Sequence, residues 1–318
     1  MDTAAETATP PRRDGAWHEA VPYSSAGQLV ERLAPQVAAA VSAGDPVLAV
    51  LDEATGVRLR DALGTDSSGV DFQDPLEVHR MPAFTVALQW ARTSRLITAP
   101  GGRALVVGQQ LDAIDRGPHH WARLDIGVNV ATAGLPVTVL CPFEDDIAHL
   151  DTVQATHPLL GTATGSEPSR FYREPEESVL DYPPPPPPDL GTPAAELTFV
   201  PDDLVDLRHL VVRVAGSAGL DPDRVADLVL AVNELASNSV EHGPGWGRLR
   251  LWTGAESGAD VVAEVADTSR MTVPFPGMRM PPPAGARGRG LWLAAELSDA
   301  LEVWSEPSNT VIRVQMSI

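Results

Sequence analysis

DPDRVADLVLAVNELASNSVEHGPG, residues 221–245, is the stretch that decides how the C-terminal part of this chain folds. Asp221 suits a helix N-cap, Pro222 the first helical position and Asp223 the first turn, where a carboxylate meets the positive end of the helix dipole. Gly243, Pro244 and Gly245 then stop the helix. Between start and stop, Glu234, Asn238, Glu241 and His242 are offset by four, seven and eight residues. At helical pitch they fall within about a third of the circumference and share one polar face. Leu230, Val232, Leu235 and Ala236 flank that face, so the pattern alone leaves both a functional cleft and an ordinary solvated face open.

Working outward, LVDLRHLVVRVAGSAGL (204–220) reads as a preceding helix with a glycine stop, and GLWLAAELSDA (290–300) as a later one. Strand patterns occupy RLRLWTG (248–254), DVVAEVADT (260–268), ALEVWSE (300–306) and NTVIRVQMSI (309–318), which predicts helices on one face of a mixed sheet. The window Thr268 to Ala294 contains Arg270, Arg279, Arg287 and Arg289 and no carboxylate, although the chain as a whole carries a charge of −20. Gly277, Gly285, Gly288 and Gly290 lie in the same window and open onto the helix that starts near Gly290. A flexible arginine-bearing loop is the plain reading. Free N–H groups at a helix start, glycine freedom and local positive charge, coupled to the polar helix and to Asp267 at a strand end, favour phosphate binding.

Composition removes several chemistries. The chain of 318 residues has 23 basic and 43 acidic residues, and such a field repels polyanions, so neither nucleic acid nor an anionic membrane is expected as a partner. Every basic residue is arginine. A Walker-type phosphate loop, a pyridoxal phosphate Schiff base, a serine–lysine dyad and a protein kinase of the ordinary fold all need the lysine that is missing. The single cysteine, Cys141, excludes an internal disulfide and multi-cysteine metal sites and reads as core packing. No stretch approaches the ~18 apolar residues of a membrane span and the N-terminus has no apolar signal core, so a soluble, cytoplasmic protein is expected.

Tyr182 and the six prolines Pro183 to Pro188 mark a division. A polyproline helix rises ~3.1 Å per residue, which predicts a semi-rigid spacer of about 19 Å. The expected organisation is a disordered segment 1–15, a first domain 16–180, a linker 181–194 and a second domain 195–318. In the first domain PVLAVLD (46–52), RALVVGQQ (103–110) and LPVTVLCPFE (135–144) are buried-strand runs, and helical patterns fill 25–44, 82–97 and 117–134. That alternation predicts an α/β layer on a mostly parallel sheet. His119, His120 and His149 lack the convergent spacing of a metal hydrolase.

ELASNSVEHG (234–243), Asp267 in ADTSR and GARGRGLWL (285–293), in this order, resemble the N-box and two glycine boxes of the GHKL, or Bergerat-fold, ATPases. The short form is most similar to bacterial anti-sigma regulatory factors of the serine-protein kinase type. The resemblance implies ATP and Mg²⁺ as ligands, Glu234 as general base, Asn238 as the Mg²⁺ ligand, and Asp267 as acceptor for the adenine amino group. It also implies that Gly288 and Gly290 admit the phosphates and that His242 closes the pocket, while the charge of Arg287 and Arg289 suits them to contact the phosphates or orient a lid. The usual DxGxG box reads DTSRM here, with Ser269 and Met271 in glycine positions, a tighter geometry that bears on turnover more than on binding. In the N-terminal half HEAVPYSS (18–25), EVHRMPAF (77–84), CPFED (141–145) and THP (156–158) resemble the MEDS sensory domain, related to RecA-like folds. His18, Tyr23, Arg80 and His157 are candidates for a small-molecule pocket there.

The expected fold class is therefore an N-terminal RecA-like α/β sensory domain plus a C-terminal Bergerat-fold α/β sandwich. The expected function is that of an anti-sigma-like regulator that phosphorylates serine or threonine on a STAS-type antagonist, with a sigma factor as competing client and a homodimer as a possible assembly. The rival is a non-catalytic, ATP-dependent binding module. A sensor histidine kinase is the weaker alternative, because His209 in DLRHLVV lacks the acidic neighbour of a phospho-accepting histidine.

Overall fold

Short runs of β-branched residues bounded by helical patterns form a parallel layer in the first part of the chain. The computed structural model describes residues 15–114, 116, 119–145, 149–162, 165–254, 261–279, 281 and 289–318. Two compact units divide at Pro183/Pro184. The expectation for residues 1–15 falls, Gly15 apart, outside the described residues.

The strands of the first unit are β1 (Trp17–Tyr23), β2 (Val47–Val50), β3 (Val70–Gln73), β4 (Ala104–Gly108), β5 (Val137–Glu144), β6 (Leu159–Thr162) and β7 (Gly165–Pro168). They form one sheet in the order β3-β2-β4-β5-β1-β6-β7, parallel except for the β6–β7 hairpin at one edge. Its helices are α1 (Ala26–Ser42), α2 (Glu53–Leu63), α3 (Pro75–Val78), α4 (Ala83–Arg92), α5 (His120–Ala131), α6 (Leu150–Thr156) and α7 (Pro175–Ser178). Val47 to Val50 and Ala104 to Gly108 are wholly buried, as central parallel strands require. Leu29, Leu33 and Val37 of α1 pack with Leu59 of α2 against Ala49, Val107 and Leu140 of the sheet. β1 lies in the interior of the sheet, between β5 and β6. Its polar start hides this: His18 and Glu19 are buried, and Glu19 accepts from the Trp17 indole at 2.9 Å and the Ser166 hydroxyl at 2.6 Å.

The second unit contains β8 (Ala195–Phe199), β9 (Gly247–Thr253), β10 (Val261–Asp267), β11 (Ala300–Glu306) and β12 (Asn309–Met316), with α8 (Leu204–Ala218), α9 (Pro222–Glu241) and α10 (Gly290–Leu297). The sheet order is β11-β12-β10-β9-β8, and each neighbouring pair is antiparallel. All three helices pack on this sheet, and α9 lies against both α8 and α10. The start of α9 follows its sequence, since the Asp221 carboxylate accepts from the Asp223 N–H at 2.9 Å and Pro222 opens the helix. Leu228, Val232, Leu235 and Ala236 are its fully buried inner side.

The register places Trp252, Glu264, Arg313 and Trp304 on the opposite face of this sheet from Leu249, Val265 and Ile312. There the Glu264 carboxylate, 1% exposed, is gripped by Arg250 at 2.7 Å and by Arg313 at 2.6 Å. The proline run lies along this face. The Trp304 indole donates to the Pro185 carbonyl at 2.6 Å, the Arg313 guanidinium to the Pro188 carbonyl at 2.7 Å, and the Trp252 indole to the Gly191 carbonyl at 3.0 Å. Proline lacks the N–H but keeps its carbonyl, so a segment expected to be a bare spacer becomes the acceptor for three side-chain donors.

Candidate functional site

The helical spacing of Glu234 and Asn238 puts both side chains, half-buried, on the side of α9 that meets the start of α10. Gly290 begins α10 and is buried. A Cβ at this position would stand 2.9 Å from Glu234 Oε2, 3.4 Å from Glu234 Cβ and 3.2 Å from Asn238 Nδ2. The missing side chain is what leaves room for a carboxylate and an amide over the first turn of a helix. Gly277, at φ +78°, runs equally close to α10, for its Cβ would meet the Leu291 carbonyl at 2.9 Å.

Just past the C-terminal end of α9 the same device operates. A Cβ on Gly243 would stand 2.6 Å from the Ser239 carbonyl and 3.1 Å from Asp267 Oδ2. The helix therefore ends directly against Asp267, a buried carboxylate at the end of β10. Asp267 Oδ1 accepts from the Ser269 backbone N–H at 2.7 Å and from the Ser269 hydroxyl, which leaves Oδ2 toward Gly243. Ser269 is in turn held by its carbonyl, which accepts from the Thr310 hydroxyl at 3.0 Å, and Met271 N–H donates to the Ser305 hydroxyl at 2.8 Å. The DTSRM turn is thus tied to the β11–β12 hairpin through its own backbone, by the Thr310 and Ser305 hydroxyls, and the one contact here that glycine at position 269 would lack is that of the Ser269 hydroxyl with Asp267. Ser269, Thr310 and Ser305 were not legible as partners, because isolated hydroxyls carry no spacing signal.

The described residues thus bring Glu234, Asn238 and Gly290 together, and Asp267 with Gly243. Arg289 is the N-cap of α10 and is exposed, as are Glu241 and His242 at the C-terminal end of α9. Arg287, Gly288 and Gly285 lie outside the described residues. The donor set around Gly290 is of the kind that a magnesium-bound phosphate group calls for. It offers an oxygen-bearing carboxylate and amide, suited to a hard cation, beside the N–H groups that start an eight-residue helix.

In the first unit the four candidate pocket residues do not all meet. Tyr23 accepts from the Gln109 amide at 2.8 Å, and Arg80 is an exposed partner of Glu77. His18 and His157 do meet, with ring centroids 4.3 Å apart, and burial lowers them to about 3 and about 4, so both rings are neutral at pH 7. His79 and His120 form a second buried pair, Nδ1 to Nε2 at 3.2 Å, against Trp90 and Trp121; burial pushes them down to about 3 and about 4.

Comparison with known proteins bears on the second unit. Residues 197–316 match the histidine kinase-like ATPase domain family. The C-terminal unit accordingly has the fold of that domain family, a Bergerat-type α/β sandwich. Among solved structures the chain is similar to the crystal structure of the RsbU and RsbW domains of Rv1364c from Mycobacterium tuberculosis, at 18% identity and a TM-score of 0.30. That likeness covers 39% of this chain and 33% of the other, so the chain spans about a third of that protein's length. No curated protein matches the sequence. Among the described residues no helix is long and apolar enough to cross a membrane.

Proposed function

We propose that this protein is an ATP-dependent regulator whose C-terminal unit transfers phosphate to a serine or threonine of a STAS-type partner, with a sigma factor as the competing client and the N-terminal unit as sensory domain. The observation that carries the reading is the convergence of Glu234 and Asn238 on the side-chain-free position at Gly290. In a chain without lysine, the phosphate site has to be built from helix N–H groups, arginines and a metal. Asn238 would hold Mg²⁺ through its amide oxygen, and Asp267 Oδ2, left over by the Ser269 contacts, would accept from an adenine amino group. Bound there, Mg-ATP supplies the phosphoryl donor. Glu234 would take the proton of the acceptor hydroxyl as the hydroxyl oxygen bonds to the γ-phosphorus, the bond from that phosphorus to the bridging oxygen breaks, and ADP leaves. Arg287, Gly288 and Arg289 would line the phosphates, and His242 the rim of the pocket.

The Ser269 hydroxyl on Asp267, a contact that glycine cannot make, favours one competing reading, a module that binds ATP and partner without turnover. Glu234→Gln separates the two. Gln keeps the shape and loses the basicity, so ATP affinity and partner binding should hold while labelled phosphate transfer falls by roughly 10²–10⁴. A parent protein that binds both ligands and transfers no phosphate, with Glu234→Gln indistinguishable from it, makes the protein a binding module.

A further inference from the structure

Four potential metal ligands, two histidines, a carboxylate and a thiol, meet inside the first unit: His18 on β1, Asp125 on α5, Cys141 on β5 and His157 just after α6. All four are buried, at 3%, 1%, 1% and 0% exposure, and their ligand atoms lie within 4.8 Å of one another. The hydrogen bonds around them fix where the lone pairs point. Asn129 donates its amide N–H to the Thr156 carbonyl at 2.7 Å, so its oxygen is the atom facing His18 Nδ1 at 2.8 Å. His18 must then carry its proton on Nδ1 and present a bare Nε2, which faces Cys141 Sγ at 3.3 Å. His157 does the same, for its Nδ1 lies 2.9 Å from the Val153 carbonyl, an acceptor only. Its bare Nε2 has no hydrogen-bond partner and lies 3.6 Å from Asp125 Oδ1. Asp125 is itself oriented by the Gln110 amide at 2.7 Å and the Thr156 hydroxyl at 3.0 Å.

We infer that His18, Asp125, Cys141 and His157 form a tetrahedral site for a divalent transition metal of the zinc class. Each imidazole donates its far N–H to an oxygen and turns its near nitrogen inward, the outer arrangement that metal-ligating histidines adopt. Zinc bonds of ~2.0–2.3 Å place ligand atoms about 3.3–3.7 Å apart on the edges of a tetrahedron. The observed 3.3 Å and 3.6 Å pairs already have that separation. On binding, the Cys141 thiol gives up its proton to solvent and the metal–sulfur bond forms. With the Asp125 carboxylate and two neutral histidines, the two negative charges offset the cation, and the buried centre is neutral. Four protein ligands leave no open position, so the centre is structural or regulatory and not hydrolytic. It would join the middle of the sheet, β1 and β5, to α5 and to the end of α6.

The test uses the full chain, produced once with zinc and once with cobalt as the added metal. The expected result is about one metal per chain retained through dialysis against a weak chelator. The cobalt form should show the intense visible bands of tetrahedral Co²⁺ together with a thiolate-to-cobalt charge-transfer band. Because Cys141 is the sole cysteine, that band reports this site and none of the acidic surface. Cys141→Ser should lose the charge-transfer band. Should that variant not fold, the parent spectrum still decides. A folded parent that retains neither metal, or a cobalt spectrum of weak octahedral type without charge transfer, would overturn the assignment and leave a purely hydrogen-bonded cluster.

Discussion

Gly290→Ala puts the convergence at the start of α10 to a quantitative test. The added methyl would sit 2.9 Å from Glu234 Oε2 and 3.2 Å from Asn238 Nδ2. Both are inside van der Waals contact, and the Glu234 carboxylate, as the end of a flexible chain, can swing away at about 0.5–1.5 kcal/mol of rotamer strain. Alanine in place of glycine in a helix returns up to about 1 kcal/mol, less in the first turn. The two terms nearly cancel, and the melting temperature should stay within a few degrees of the parent. Ligand binding has no such compensation. The methyl fills the cradle and displaces the carboxylate, and a misplacement of this size costs roughly 10²-fold in a positioned reaction. We expect at least about tenfold weaker Mg-ATP binding, about 1.4 kcal/mol, by isothermal titration of the full chain. An ATP affinity within twofold of the parent, in a variant of unchanged melting temperature, would refute the placement of the phosphates at Gly290.

Asn238→Ala should remove the Mg²⁺ dependence of ATP binding, checked by titrating ATP with and without the metal; a retained dependence would move the metal ligand elsewhere. Glu264→Gln removes the carboxylate that Arg250 and Arg313 share on the buried outer face of the second sheet and should cost about 3–5 kcal/mol in urea unfolding. Below pH 6.5 the unfolded chain protonates His79 and His120 while the folded unit keeps them neutral down to about 3 and about 4. Stability from this pair is therefore complete above pH 6.5 and declines as the pH falls, by about 2 kcal/mol per histidine at pH 5. Urea unfolding at pH 7 and pH 5 should show the parent losing about 2 kcal/mol more than His120→Gln, and equal losses would mean that His120 is not desolvated.

The second unit was largely legible because its elements carry their own stop and start residues. Helix α9 begins at Pro222 and ends before Gly243, as its caps require, and β11 occupies residues 300–306, the span its alternation predicts. The meeting of Glu234, Asn238 and Gly290 was legible only through a resemblance, since no periodicity says that residue 290 returns to residue 234. β1 was not read as a strand: its HEAVPY opening has buried polar groups whose partners, Asn129, Cys141 and Ser166, are more than a hundred positions away. β8 was missed because it is short and only Phe199 in it is fully buried.

The proline strap changes where this protein can be cut. A fragment that starts at residue 195, where the sequence reading begins the second domain, would discard the carbonyls of Pro185, Pro188 and Gly191. Two indoles and a guanidinium would lose their acceptors, and Trp252 and Trp304, 5% and 7% exposed in the whole chain, would lose a covering. A fragment starting at Pro184 keeps all three contacts. The shorter piece should be the stickier and less stable of the two, and an ATP titration performed on it would measure the injury of the cut along with the ligand.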